Sequence, residues 1–411
     1  MENTLTATPR AHCMIVHAYY PLAETRVQRE AEALIDRGYQ VDVICLRGAD
    51  EAAEEEQRGV QIYRVPVTLR KSNRLYVQLL NYLHFFALAM LQLMRLHRRR
   101  RYRAVQVHNL PDFLVFCAWL PKLQGVPVIL DLHDLMPEFI ASRAGRPMTH
   151  TLVRLVAWQE RLACRFADQV ITVTELWRQA LIERGMPAHK VSVVMNVADD
   201  KVFRRDPARP PGSRNGRFHL FYHGSQTYRY GLDLILRAVD RLRDQLPGLH
   251  VTIHGNGSYN EVLVKLAAQL RLGDRVQFSN QFVSVDELPN LIRIADAAIV
   301  PYRRDVFTDG ILPTKLLEYV ALGIPVIAAR TPVIATYFDD TMVEYFTPEH
   351  VDELAGALVK LHHNPERRAA LARNAQAFNT RYNWTQISAE YVDLIETLAA
   401  GRTRRLYGAR G

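Results

Sequence analysis

Short apolar runs alternate with amphipathic stretches along most of the chain. His12–His17, Gln40–Leu46, Val60–Val67, Ala104–Val107, Val126–Leu130, Gln169–Val173 and Lys190–Val194 read as strands. Helical spacing separates most of them, at Arg26–Arg37 (closed by Gly38), Leu152–Phe166 and Leu176–Arg184. At Asp206–Arg217 the alternation stops. DPARPPGSRNGR is Pro-, Gly- and Arg-rich with Ala208 its sole apolar residue, so it reads as an interdomain linker. The pattern then restarts with strands at Phe218–Tyr222, Leu249–Ile253, Arg275–Phe278, Ala297–Val300, Pro325–Ala328 and Val343–Phe346. Gly231–Gln245 and Asn260–Leu270 are helices between them. A last helix, Trp384–Leu398, follows the completed second set. Strand–helix alternation specifies parallel sheets, and two sets predict two doubly wound α/β domains. The length of 411 residues agrees with two cores.

Leu75–Met94, LYVQLLNYLHFFALAMLQLM, stands apart because it is almost wholly apolar and long enough to be tested as a membrane span. Gln78, Asn81, His84 and Gln92 fall on one narrow helical face, and Arg95, His97 and Arg98 to Arg101 follow. Three readings stay open. One is a core helix with a narrow wet stripe. Another is a helix at an anionic membrane surface, with residues 75–101 as the contact. The third is a span, which the four polar residues disfavour.

Composition narrows the partners. Apolar and charged contents of 48% and 23% describe an ordinary globular chain, and a net charge of +9 suits a negatively charged partner. The arginines form no aromatic-interleaved stripe, which argues against nucleic acid. Cys13, Cys45, Cys117 and Cys164 are scattered without a C-x-x-C pair. They predict neither a zinc site nor a disulfide framework, and so a reducing cytoplasm. The opening MENTLTATPR lacks the apolar region of a secretion signal. The expected localisation is cytoplasmic, at the inner face of the membrane if helix 75–94 lies there.

The stretch richest in chemistry is GILPTKLLEYVALGIPVIAA, Gly310–Ala329. Leu312-Pro313 marks a helix start, Thr314 is a candidate cap, Gly323 ends the helix, and Val326–Ala328 follow as a buried strand. Thr314, Lys315 and Glu318 share a helical face. A lysine in a helix's first turn suits an anion, and a carboxylate one turn later suits vicinal hydroxyls. The same residues also fit an ordinary surface Lys–Glu pair. Three other loops follow predicted strands: His223-Gly224-Ser225 with Arg229 and Gly231, Gly255-Asn256-Gly257-Ser258, and Pro301-Tyr302-Arg303-Arg304. Their glycines allow close backbone approach to phosphate. No P-loop is present, and no G-x-G-x-x-G follows the first strand, which argues against an ATPase and a nicotinamide dehydrogenase.

In the first half, Val107 ends at His108-Asn109-Leu110-Pro111-Asp112 and Leu130 at Asp131-Leu132-His133-Asp134, with Glu138 beyond. Imidazole beside carboxylate suits hydroxyl recognition or proton handling, but Asp112 and Asp134 also fit as simple helix starts. Metal ligation by His133, Asp134 and Glu138 has no second ligand set to support it, so no metal is expected.

With these residues in view, the sequence resembles the family 4 retaining glycosyltransferases of the GT-B fold, two Rossmann-like domains facing a central cleft. The matching segments are YYPLAETRVQREAEALIDRGYQVDVI, DLHDLMPE, YHGSQTYRYGLDLILRAV, VTIHGNG and above all LPTKLLEYVALGIPVIAA. The resemblance implies an acceptor-side domain over 1–205, the linker 206–217 and a nucleotide-sugar domain over 218–383. A helix over 384–400 would cross back to the first domain, leaving a basic tail 401–411. It implies a nucleotide-diphosphate-sugar donor, a glycan or lipid-linked acceptor, and transfer with retention, without enzymic nucleophile, cofactor or obligatory metal. Carried over residue by residue, Glu318 matches the ribose-binding glutamate, and Arg229 and Lys315 fall where basic groups neutralise the diphosphate. Gly224 and Ser225 match the loop beneath it, and His133 looks like the residue that reaches the donor sugar. Gly255, Gly257 and Thr314 complete the donor-side candidates; His108, Asp134, Glu138 and Arg26 are the acceptor-side ones. Two departures stand out. Gly310 occupies the position where many members carry the first glutamate of an E-x7-E pair. The loop Tyr19-Tyr20-Pro21-Leu22-Ala23-Glu24 lacks the Gly-Gly of many relatives. Two other readings remain: a GT-B-shaped sugar-nucleotide epimerase, and a non-catalytic, membrane-associated subunit of a polysaccharide assembly complex.

Overall fold

The computed structural model describes residues 10–21, 24–67, 75–206, 217–281 and 283–408. Leu22 and Ala23 of the first loop, 207–216 of the expected linker and 409–411 of the tail lie outside them. The chain divides into two compact units, Met1–Met195 with Gln386–Gly411, and Asn196–Thr385.

The first unit is built on β1 (Arg10–Ile15), β2 (Tyr39–Leu46), β3 (Glu54–Gln57), β4 (Val60–Val65), β5 (Ala104–His108), β6 (Val128–Leu132), β7 (Gln169–Thr172) and β8 (Val191–Val193). They form one sheet in the order β3-β4-β2-β1-β5-β6-β7-β8. All pairs are parallel except the β3–β4 hairpin. The central strands are buried along nearly their whole length, which is why they read as continuous apolar runs. The exposed strand β3, EEEQ, has no such signature; its charges suit a sheet edge.

The second unit holds β9 (Phe218–His223), β10 (Leu249–His254), β11 (Val276–Ser279), β12 (Ala297–Val300), β13 (Val326–Ala329) and β14 (Glu344–Phe346). Their order is β11-β10-β9-β12-β13-β14, all parallel. The helix Leu232–Arg241 seals one face of this sheet with Leu232, Ile235, Leu236 and Val239, all buried.

Chain order reverses between β1 and β5 in the first sheet and between β9 and β12 in the second. Loops leaving the carboxyl ends of strands at such a point diverge and leave a crevice, the usual ligand position in open parallel sheets.

Two helices depart from expectation. The last runs from Trp384 to Gly408, so residues 401–408 are helical rather than a loose tail. Tyr391, fully buried, ties it to the first unit by donating to Gln106 Oε1 at 2.6 Å. The helix Leu75–Arg100 buries Phe85, Ala89, Leu93 and Leu96, yet Tyr76, Leu79, Leu80, Leu83 and Leu91 are exposed. The reading of a core helix with a polar stripe in water is therefore corrected. Gln78, Asn81 and Gln92 are half-buried, and the exposed stripe is largely apolar.

Candidate functional site

In the second unit, β9 ends at His223 and the helix Thr314–Leu322 precedes β13. Pro313 is the helix's N-cap residue; Thr314 is its first helical residue and makes no capping bond, which corrects the expected cap. Gly323 closes the helix at φ 75°. Lys315 is buried, and its ammonium lies 5.2, 5.0 and 5.1 Å from the ring centres of Tyr222, Tyr230 and Tyr302. It donates to Tyr302 Oη at 2.9 Å. Among the described residues it forms no ion pair, so the surface Lys–Glu pair does not exist. Burial pulls its pKa down, while Tyr230 and Glu318 act in the opposite sense. A desolvated ammonium over π faces is worth about 2 kcal/mol of cation–π attraction. That offsets part of its dehydration and leaves a positive charge without a counter-anion.

Glu318 turns instead to His223. The imidazole Nε2 lies 2.6 Å from Glu318 Oε2, and its Nδ1 lies 2.9 Å from Tyr319 Oη. The phenolic oxygen also accepts from the His223 backbone N–H at 3.0 Å. The proton arrangement that satisfies all three has Tyr319 donating to Nδ1 and Nε2–H donating to the carboxylate. Glu318 Oε1 makes no hydrogen bond among the described residues, and the side chain is 18% exposed, so one oxygen remains available to accept. His223 and Tyr319 were not singled out from the sequence. Their only signal is a histidine at a strand's carboxyl end and a tyrosine beside the glutamate.

Gly224, at φ 111°, is needed where it stands: a Cβ there would meet Lys315 Cε at 3.0 Å. A Cβ on Gly255 would lie 2.2 Å from the Gly224 carbonyl oxygen, and one on Gly257 2.3 Å from that of Gln226. Those two glycines therefore serve close packing between two loops, which Gln226 stitches by donating to Gly255 O at 2.6 Å. Ser225 is exposed, and its carbonyl accepts from Tyr222 Oη at 2.7 Å. The Arg229 guanidinium stands 5.0 Å from the Phe307 ring centre. Arg303 is committed to Asp233 at 2.9 Å, and Arg304 to Asp309 at 2.8 Å. Asp309 thus has its own partner and does not stand in for the carboxylate missing at Gly310.

In the first unit, Arg26 and Asp131 meet at the switch point. Arg26 Nη2 lies 3.1 Å from Asp131 Oδ1 and 3.0 Å from Glu30 Oε1, and Nη1 donates to Val194 O at 2.8 Å. A 4%-exposed guanidinium so occupied holds the sheet end together, which corrects its assignment to an acceptor. Asp131 is positioned because β6 runs two residues further than expected. It pairs in register with His108, the last residue of β5. His108 Nδ1 lies 3.3 Å from Asp131 Oδ2 and 3.0 Å from His133 Nε2. Burial alone would raise the Asp131 pKa, but Arg26 and the His108 hydrogen bond hold it well below the carboxylate range. Burial, with Arg26 and His108 nearby, pushes His133 down to about 3, so its imidazole is neutral. Its Nδ1 points toward Glu24 Oε2, 3.9 Å away. Burial and Asp131 raise Glu24 to about 7.

His108, Asp131 and His133 have the spacing of a metal ligand set. Asp131, however, already accepts from Arg26 and Gln106, so a dication there would face a guanidinium. The other ligands considered from the sequence, Asp134 and Glu138, are not part of this group. Asp134 accepts from Asn109 Nδ2 at 2.6 Å through its backbone carbonyl. Glu138 is buried in an ion pair with Arg184, which also holds Glu160 at 2.7 Å. Glu138 is thereby removed from the acceptor candidates. Asp112 is the first residue of the short helix Asp112–Ala118, as the helix-start reading expects, whereas Asp134 lies before the N-cap residue Leu135 of the next helix.

Comparison with known proteins identifies the family over both units. Residues 23–197 match the glycosyl transferase 4-like domain, and 204–378 match glycosyl transferases group 1. A D-inositol 3-phosphate glycosyltransferase of Saccharomonospora viridis is 32% identical over 307 residues, 69% of this chain and 68% of that one. A GDP-mannose-dependent alpha-(1-6)-phosphatidylinositol monomannoside mannosyltransferase of Mycobacterium tuberculosis is 28% identical over 291 residues, 65% and 74% of the two chains. Among solved structures, sucrose-phosphate synthase of Thermosynechococcus elongatus superposes with a TM-score of 0.77 at 18% identity, covering 95% of this chain and all of that one. The chain belongs to the family 4 glycosyltransferases and has the GT-B fold.

Proposed function

We propose that the protein transfers a sugar, with retention, from a nucleotide-diphosphate-sugar to a hydroxyl of a glycan or lipid-linked acceptor in cell-surface polysaccharide or glycolipid synthesis. The observation that carries this reading is Lys315: a buried ammonium with no ion-pair partner among the described residues, one helical turn from a carboxylate oxygen available to vicinal hydroxyls. Lys315 and Arg229 neutralise the diphosphate as it departs, the electrostatic contribution such a transition state needs most. Glu318, held by His223, accepts from the ribose hydroxyls. Gly224 and Ser225 line the phosphates. Attack from the face of the departing diphosphate requires no enzymic nucleophile, and the basic groups take the place of a metal. His133, neutral, contacts the donor sugar through a hydrogen bond. The GDP-mannose dependence of the mycobacterial relative supports a nucleotide-sugar donor. Four free, buried cysteines support a reducing compartment.

The test is product analysis. Purified protein with UDP-, GDP- and ADP-sugars and candidate acceptors is expected to form a glycoside whose anomeric NMR signals match the donor's configuration, in EDTA as in buffer. Inverted product, or transfer abolished by EDTA, contradicts the mechanism; an epimerised donor without acceptor contradicts the reaction itself.

A further inference from the structure

The helix Leu75–Arg100 has one long side fixed and the other unused. At 3.6 residues per turn, Phe85, Ala89, Leu93 and Leu96 lie on the packed side and are buried. Tyr76, Leu80, Leu83, Ala87 and Leu91 fall on the opposite side, with Leu80, Leu83 and Leu91 exposed by 53%, 47% and 56%. Only 17% of the helix's most apolar window is buried inside the protein. The same stripe continues into Arg95 and Arg98, with Arg99 beside them, all exposed. Arg100 is tied to Asp42 at 3.5 Å, whereas Arg95, Arg98 and Arg99 form no ion pair among the described residues. A cavity of about 270 Å³ opens there, lined by Arg95, Arg99 and Arg100 together with Glu54, Tyr63, Gln92 and Leu96, so three cations there face one carboxylate.

A second element repeats the pattern. The helix Thr151–Phe166 exposes Leu155 and Trp158 by 59% and 57%, with Arg154 and Arg161 exposed beside them. It joins β6 to β7, as Leu75–Arg100 joins β4 to β5, in the same direction across the sheet. Right-handed crossovers in one direction put both helices on one side of it. Both also pack on the short helix Asp112–Ala118, where Phe113 meets Phe86 and Phe116 meets Phe166.

We propose that this side of the first unit docks on an anionic phospholipid surface. The apolar stripe enters the acyl boundary, and Arg95, Arg98 and Arg99 meet headgroup phosphates, one of them at the cavity. Apolar area and cationic charge are the two contributions that interfacial helices combine. The helix lies on the bilayer rather than crossing it, because its other side is packed on protein along several turns. The inference does not depend on the donor site.

Co-sedimentation of the full chain with vesicles tests it. Wild type is expected to bind equimolar phosphatidylcholine–phosphatidylglycerol vesicles and to bind phosphatidylcholine alone far more weakly, with affinity falling as salt rises. Replacing Arg95, Arg98 and Arg99 together by Ser should weaken binding to anionic vesicles about a hundredfold. Leu80→Gln, Leu83→Gln and Leu91→Gln together should abolish it, with an unchanged thermal melt showing that these surface variants fold. Three results overturn the proposal: wild type that stays in solution, an arginine variant that binds as wild type does, or a lipid-free dimer that the leucine variant dissolves.

Discussion

At the switch point of the first sheet, the Arg26 charge is met by Asp131 and Glu30, and His108 links Asp131 to His133 at the cluster's partly exposed edge. At the second, Lys315 is dehydrated with no ion-pair partner among the described residues. Both clusters are buried, polar and placed by the same topology, yet they differ in closure. Two ionic groups taken out of water together recover part of the cost through their mutual attraction, and the result is a rigid element of the fold. A lone ammonium held over three tyrosine rings recovers less, and what it lacks is an anion. The difference separates a cluster that holds structure from one arranged for a ligand, although residue types alone make the two look alike.

The largest expected effect falls on the closed cluster. Arg26→Leu leaves Asp131 buried without its main counter-ion and should cost about 3–5 kcal/mol of stability. Urea denaturation reads it; a variant as stable as wild type would mean that the cluster does not hold the sheet end. Next, Lys315→Ala should lower transfer about a hundredfold while leaving the urea midpoint in place. Lys315→Arg should not restore the rate, since a planar guanidinium does not fit where a compact ammonium donates to Tyr302. A fall in stability matching the fall in rate would erase the contrast between the clusters. His223→Phe should then raise the donor KM about tenfold, an estimate from the loss of one charge-assisted hydrogen bond to Glu318, with a smaller change in kcat.

The smallest effect is the closed cluster's own share of the pH dependence of stability. His133 is neutral in the folded protein down to about pH 3, whereas the unfolded chain protonates it below its ordinary value of 6.5. The unfolded state therefore binds more protons in that window, and stability from this group is lost as pH falls through it. Glu24 acts oppositely: its folded form keeps a proton that the unfolded chain releases above 4.5, so its contribution fades as pH rises toward about 7. His133→Gln should flatten the acid side of the stability profile and Glu24→Gln the neutral side. Profiles parallel to wild type for both would contradict this account of the cluster.

Much of this was legible in the chain. Strands buried on both faces announce themselves as apolar runs, and their order places loops such as His223-Gly224-Ser225 and the start of Thr314–Leu322. The pairings were not legible. Arg26 reaches Asp131 across 105 positions and His223 reaches Glu318 across 95, and no local periodicity encodes either. Arg26 and Glu138 looked available because a basic or acidic residue near a strand end carries no mark of its partner. Gly255 and Gly257 looked like phosphate-facing glycines because the loop that fills their side-chain space lies about 30 residues away, a separation that reads as nothing in a single sequence. The short edge strand Glu54–Gln57 was missed because charged side chains suit an edge and carry no burial pattern.

The most direct test of the central claim is calorimetric titration of UDP, GDP and ADP into wild type, Lys315→Ala and Glu318→Ala. At least one nucleotide diphosphate should bind wild type, and both variants should weaken it while folding normally. Undiminished binding by both variants would place the donor elsewhere and contradict the account.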